Sequence, residues 1–162
     1  MSSETFITWL YESSLSALIR DVFWIVPTVQ CIHILAIAVI VGSALVSDLR
    51  LAGMLATDEP LAEVVRHYFP WMWRALVVLL LTGLVMGIGE PDRVLTNTTF
   101  WLKMALVATA FSLTWLTRRP LLSPDAAGGG ARWTRFVKPC AWLSLLLWIC
   151  VIVCGRWIAY AI

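Results

Sequence analysis

The chain has 162 residues, of which 60% are hydrophobic and only 14% are charged, and its formal net charge is +2. A soluble domain is nearer half apolar and a quarter charged, so this composition excludes an ordinary soluble protein and indicates a membrane protein. The small net charge and the lack of a basic block exclude a nucleic-acid-binding surface. The length suits one membrane domain, residues 1–162.

Residues 1–20 predict an amphipathic helix that lies on the membrane surface. Apolar side chains recur there near helical spacing among polar ones. They are Phe6, Leu10, Leu15, Leu18 and Ile19. The segment has no basic start, no continuous apolar core and no small-residue cleavage site, so it does not have the pattern of a secretory signal peptide.

Four apolar runs follow, each near the roughly 20 residues that a helix needs to cross a bilayer. They lie at about residues 23–47, 70–88, 100–116 and 137–158. In hydrocarbon only helices satisfy the backbone polar groups of an open chain. The short connections then predict an all-α membrane protein, an up-down bundle of four transmembrane helices with the surface helix at its N-terminus.

Lys and Arg counts predict the orientation of this bundle. The first-to-second and third-to-fourth connections, with the helix ends beside them, hold eight basic residues against four on the opposite side. The eight are Arg50, Arg66, Arg74, Arg118, Arg119, Arg132, Arg135 and Lys138. The positive-inside rule therefore predicts a multi-pass protein of the bacterial inner membrane with both termini in the periplasm.

The first span contains His33, the most informative residue of the chain, because an ionisable side chain at bilayer depth is costly and usually functional. One face of this helix is mostly small or polar, which predicts that it faces the bundle and not lipid. That face comprises Gln30, His33, Ala36, Ile37, Ile40, Ala44, Ser47 and Asp48. His33 is then either a hydrogen-bonded structural residue or a ligand.

Charged residues near the periplasmic ends of the spans are predicted to converge above His33. They are Arg20, Glu90, Lys103 and Arg156. They form either ion pairs that anchor the helix ends or, with His33 and Gln30, a polar site for haem b or a quinone head group. The cations Arg20, Lys103 and Arg156 would suit haem propionates through charge-assisted bonds.

A low-spin haem normally has two axial ligands, and the only other histidine, His67, is predicted on the opposite side of the membrane. A five-coordinate haem, a methionine such as Met86 or Met104, or a ligand from another subunit would then be required. Copper or another metal at His33 is a further alternative. The cysteines form no CxxC pair and are interpreted as small buried hydrophobes.

The second span contains Gly83 and Gly87, a GxxxG pair that permits close approach of a neighbouring helix. The sequence has no GxSxG, Walker A or HExxH pattern, so hydrolytic and phosphate chemistry find no support. Whether the protein is an enzyme stays open at this point.

Several motifs resemble a family of small bacterial four-helix membrane proteins of unknown function. They are Trp24-Ile25-Val26-Pro27 ahead of His33, Asp48-Leu49-Arg50-Leu51, Thr82-Gly83, Glu90, and Gly155-Arg156-Trp157-Ile158-Ala159-Tyr160. The resemblance implies structural motifs at Asp48, Arg50 and Glu90, and a distant similarity to cytochrome-b-like and copper-resistance-type membrane proteins. Members of the resembled family often carry a second histidine at the end of the third span, where this chain has Arg118. The resemblance therefore weakens a two-histidine haem hypothesis.

Three functions are compatible with these observations. The first is a redox or electron-transfer accessory protein that binds haem b or a quinone at His33 near the periplasmic side. The second is a non-catalytic structural subunit of a larger membrane complex. The third is a component of a metal or small-ion permease. The expected partners are the lipid bilayer and other membrane subunits or a second copy of the chain, not nucleic acid, and no cofactor beyond haem or quinone is predicted.

Overall fold

The computed structural model of the protein describes residues 3–55, 58–122 and 131–158, and these residues form only helices and the connections between them. The helices are α1 (Ser3–Tyr11), α2 (Ser14–Asp21), α3 (Ile25–Ala52), α4 (Leu61–Gly89), α5 (Pro91–Leu95), α6 (Thr98–Leu122) and α7 (Ala131–Ile158). This confirms the predicted all-α fold.

Four of these helices, α3, α4, α6 and α7, are long and apolar enough to cross a membrane. The chain is therefore a multi-pass membrane protein in contact with the lipid bilayer. The spans have 25 to 29 residues and exceed the predicted apolar runs. At the helical rise each is about 40 Å long, more than the hydrocarbon core of about 30 Å, so their ends extend into the polar regions.

The spans pack as a ring in which each helix contacts the spans before and after it in the chain, and α7 returns to contact α3. The contact between α4 and α6 is the weakest of the four. As a result, α3 and α6 face each other diagonally across the centre, as do α4 and α7. We call the end of the ring with α1, α2 and α5 the proximal end, and the other end the distal end.

The middle of the bundle is an apolar core to which all four spans contribute. Its buried residues are Ile40, Ala44, Met72, Ala75, Leu76, Ala110, Trp148 and Val151. The alanines allow the helix backbones to approach closely, as is usual where lipid provides no hydrophobic driving force. A second cluster at the distal end comprises Leu51, Val65, Phe69, Leu121, Val137 and Ala141.

The predicted N-terminal surface helix is two short helices. The hydroxyl oxygen of Ser13 accepts a 3.2 Å hydrogen bond from the backbone N–H of Ser16 and thereby caps a new helix, α2. Ser16 and Ile19 are the buried residues of α2. Ile19 packs so closely on the end of α4 that a Cβ placed at Gly89 would lie 2.9 Å from its Cγ2. The two helices thus cover the proximal end.

Candidate functional site

His33 is half-buried on α3 and held by one hydrogen bond across to α4. Its Nδ1 lies 2.7 Å from Oγ1 of Thr82. That hydroxyl also lies 2.7 Å from the carbonyl oxygen of Val78, which accepts only, so the threonine proton is given to Val78. With the threonine proton on Val78, Nδ1 carries the proton that is donated to Thr82. A neutral His33 then presents Nε2 as an acceptor, and Nε2 has no hydrogen-bond partner among the described residues.

Gly83 of α4 faces this ring across the contact between α3 and α4. A Cβ at Gly83 would lie 3.7 Å from Cε1 of His33, at van der Waals contact. The other glycine of the pair, Gly87, faces Val94 of α5 instead, at 3.9 Å. The predicted GxxxG motif therefore supports two different contacts, one with α3 and one with α5.

Lys103 of α6 completes the group around the imidazole. Its ammonium is close enough to His33 to interact electrostatically, and its Nζ would lie 3.7 Å from a Cβ at Gly155 of α7. Lys103 makes no hydrogen bond to another side chain within the described ranges. We call His33, Thr82, Gly83, Lys103 and Gly155 the His33 site. Each of the four spans contributes to it.

The other residues predicted for this site lie elsewhere. Gln30 is exposed, so the inward face of α3 begins at His33 and not at Gln30. Arg20 donates to backbone and side-chain oxygens, among them Gly89 O at 3.4 Å and Ser16 Oγ at 2.6 Å, and so attaches α2 to the end of α4. Its guanidinium also stacks over the ring of Tyr11 at 3.8 Å.

The remaining charges at the proximal end are at the surface. Glu90 pairs with Arg93 at 3.2 Å, and both side chains are about half exposed (56% and 49%). Arg156 is exposed at the end of α7, and Ala159 and Tyr160 of its motif lie outside the described residues. Of the predicted cations, Lys103 alone joins His33. The sequence marks Thr82 only as part of a family motif, because a hydroxyl in an apolar span gives no signal of the residue it faces.

A second polar group lies near the distal end, where Asp48 and Arg118 form a buried ion pair. Asp48 Oδ1 is 2.7 Å from Arg118 Nη2, and the side chains are 1% and 0% exposed. The pair crosses the diagonal between α3 and α6. The prediction of Arg118 as a residue of the cytoplasmic connection was wrong, because α6 continues to Leu122 and the carboxylate of Asp48 compensates the charge inside the bundle.

The other two spans complete this layer. Arg118 Nη1 donates to Met72 Sδ of α4 at 3.4 Å. Ser144 of α7 lies near the Asp48 carboxylate, and its hydroxyl is 3.4 Å from that of Thr114. We call Asp48, Met72, Thr114, Arg118 and Ser144 the distal polar layer. His33 and Asp48 are fifteen residues apart on α3, so the two polar groups are about 22 Å apart along the bundle.

Arg50 has a different role from its neighbour Asp48. Its Nη2 donates to the carbonyl oxygen of Glu59, which fastens the α3–α4 connection. The chain leaves α3 through Gly53, whose φ of 80° is left-handed and favours glycine, with its N–H bonded to Arg50 O at 3.0 Å. The Asp-Leu-Arg-Leu motif therefore combines a buried ion pair with a connection contact.

The described residues contain no group of three or more His, Cys, Asp or Glu side chains that could hold a metal ion. The model of a family described as "Family of unknown function (DUF6644)" matches residues 6–161. No curated protein matches the chain, and no solved structure does. The family match includes every residue of the His33 site and of the distal polar layer. The chain belongs to this family of unknown function, DUF6644.

Proposed function

We propose that this protein is a redox accessory protein of the bacterial inner membrane and that its His33 site binds the head group of a quinone. The observation that carries the proposal is the His33–Thr82 hydrogen bond. It commits Nδ1 and leaves Nε2 as a hydrogen-bond acceptor, and the ammonium of Lys103 lies within electrostatic range of the ring.

The donor and acceptor groups suit this ligand class. A quinone carbonyl oxygen accepts hydrogen bonds, and the ammonium of Lys103 donates them. A quinol hydroxyl donates, and Nε2 of His33 accepts. The site therefore offers partners to both redox forms, in a half-buried position near one membrane boundary where a lipophilic ligand can enter from the bilayer.

Haem b fits these residues less well. His33 is the only histidine within the bundle among the described spans, and His67 is exposed on the distal half of α4. The residues present therefore do not form a bis-histidine site. Of the cations predicted for propionates, Arg20 is engaged with the end of α4, and Arg156 lies at the surface. A haem would depend on an axial ligand other than histidine.

The orientation predicted from the sequence still follows when one basic residue is removed from the distal count. Arg118 is buried, so seven distal basic residues remain against four proximal ones. The positive-inside rule still favours distal connections in the cytoplasm and termini in the periplasm. The His33 site then opens toward the periplasmic side.

Quinone titration of the purified protein in lipid nanodiscs tests the proposal. Binding of a short-tailed quinone, in its oxidised and in its reduced (quinol) form, is followed by quenching of the ten tryptophans. We expect Lys103→Ala to raise the Kd of the quinone and His33→Ala to raise the Kd of the quinol, each about tenfold, through the loss of one hydrogen bond. His67→Ala and Lys138→Ala are the matched controls, because they remove the same side chains from exposed distal positions. Equal affinity in all four variants would contradict the proposal.

The same preparation separates the alternatives. A Soret band that is lost in His33→Ala would favour haem over quinone. A colourless protein that binds no quinone and copurifies stoichiometrically with other membrane chains would favour the structural subunit. A permease component gains the least support, because an apolar core separates the two polar groups.

A further inference from the structure

Buried polar atoms without a hydrogen-bond partner are concentrated in the distal half of the bundle. Among the described residues these atoms are Asp48 Oδ2, Arg50 Nε, Arg118 Nε and Trp148 Nε1. Arg50 lies two residues before the end of α3, and Asp48 and Arg118 lie four residues before the ends of their helices. Trp148 lies one helical turn farther from the distal end than Ser144 does. At the helical rise the four span about 9 Å along the axis.

The neighbouring side chains do not supply the missing partners. The Ser47 hydroxyl donates to Ser43 O at 2.8 Å, inside its own helix. The Thr117 hydroxyl does the same to Leu113 O at 2.8 Å. Ser144 interacts with the Asp48 carboxylate as a hydrogen-bond donor, but its hydroxyl is not within hydrogen-bonding distance of Oδ2. Since buried polar groups in folded proteins are almost always hydrogen-bonded, these atoms indicate a bound molecule.

The charges define the class of that molecule. The carboxylate of Asp48 repels an anion, and the guanidinium groups of Arg50 and Arg118 repel a cation. The atoms to be satisfied are one acceptor and three N–H donors, so the ligand must be neutral, small, and both donor and acceptor. Water meets these requirements, and ionisable side chains within membrane spans commonly face water-filled cavities.

We propose that the distal half of the bundle binds a chain of water molecules, which enters at Arg50, passes the Asp48–Arg118 pair and ends at Trp148. Beyond Trp148 the buried apolar side chains Ile40 and Ala110 close the path toward the His33 site. Asp48 is then in proton exchange with the distal aqueous phase while the bundle stays closed. We call this path of water from Arg50 to Trp148 the inlet. It does not depend on any ligand at His33.

Hydroxyl-radical footprinting by X-ray radiolysis tests the inlet on the wild-type protein in nanodiscs. Radiolysis forms radicals from bound water in place, so side chains beside that water are oxidised even when they are buried. We expect oxidation of Trp148 and Met72, which are 2% and 0% exposed. Absence of oxidation at both would overturn the proposal.

Two variants sharpen this experiment. The double variant Asp48→Leu/Arg118→Met replaces the pair by apolar side chains, and we expect at least a tenfold lower oxidation rate at Trp148. His33→Ala should leave that rate unchanged, which separates this inference from quinone binding. An unchanged rate in the double variant, or a lowered rate in His33→Ala, would count against the inlet.

Indole hydrogen exchange gives a second readout that needs no change in the ion pair. In protein labelled with ¹⁵N-tryptophan, the Trp148 N–H signal is assigned by its loss in Trp148→Phe. Transfer to D₂O should remove it within minutes if water reaches Nε1. A signal that persists for days would show a dry environment and overturn the proposal.

Discussion

His33 illustrates how one neighbouring hydroxyl fixes the chemistry of an imidazole. Thr82 gives its single proton to the carbonyl of Val78 and can only accept from His33. The ring is thereby fixed in orientation and in tautomer. The sequence predicted that His33 and Lys103 lie at the same end of the bundle, but not the threonine, because the pairing depends on the rotation of α4.

Thr82→Val tests this positioning role at the scale of one residue. Valine keeps the shape and removes the acceptor, so His33 loses its fixed orientation. We expect the quinol Kd to rise about fivefold, equivalent to about 1 kcal/mol, with little change in thermal stability. Thr82→Ser retains the hydroxyl and should bind as the wild type does. An affinity unaffected by Thr82→Val would contradict the role of this hydrogen bond.

We expect single substitutions in the Asp48–Arg118 pair to have large effects on the stability of the bundle. Removal of one partner leaves an uncompensated buried charge, so Asp48→Ala and Arg118→Ala should each destabilise the bundle by about 3–5 kcal/mol. The measurement is denaturant unfolding in detergent micelles, with the yield of monodisperse protein. Asp48→Leu/Arg118→Met should recover most of the loss. Wild-type stability in either single variant would show that the pair is not needed for the fold.

Among the helices, hydropathy located all four spans but made each of them too short. The predicted third run stopped at residue 116, whereas α6 continues to Leu122. The second run began at residue 70, yet α4 begins at Leu61, directly after Pro60. Hydropathy falls where polar residues begin, but a helix continues through them when its backbone and side chains find partners. Arg118 was misplaced for this reason.

The short helices α1, α2 and α5 and their contacts could not be predicted from the sequence either. The division of the N-terminal helix depends on one serine cap, and the five-residue α5 is too short to produce an apolar pattern. The attachment of α2 to α4 requires a glycine at position 89, which composition alone does not reveal.

Gly89→Ala should detach α2 from the bundle. The new Cβ would lie 2.9 Å from Ile19 Cγ2, and such overpacking costs about 1–3 kcal/mol. We expect faster amide exchange over residues 14–21, measured by mass spectrometry. Gly42→Ala is the matched control, because nothing lies within 4 Å of its added Cβ. Identical exchange in the two variants would contradict the packing.

Arg50→Ala should weaken the α3–α4 connection. It removes the hydrogen bond to Glu59 O, a bond to a charged donor worth about 1.5–3 kcal/mol. We expect a lower yield of folded protein and faster proteolysis at the connection. Arg119→Ala removes an exposed arginine at the same end and should behave as the wild type does. Equal protease sensitivity in both variants would show that Arg50 does not hold the connection.

At the scale of the whole molecule, an apolar core separates a proximal and a distal polar group. Composition and periodicity were sufficient to predict four helices around a shared interior. They were not sufficient to predict that α3 and α6 lie diagonally, so that Asp48 and Arg118 meet across the centre. That contact depends on the order of the helices around the ring, which the amphipathic pattern of each separate helix does not specify.

Nitrogen NMR of ¹⁵N-histidine-labelled protein reads the protonation of each His33 ring nitrogen, because the chain has two histidines and His67→Gln assigns the signals. At a pH where His33 is neutral, we predict a protonated Nδ1 and an unprotonated Nε2, and a change in the Nε2 shift when the reduced quinol is added. A His33 protonated at Nε2, or an Nε2 shift that does not respond to quinol, would contradict a ligand site at His33.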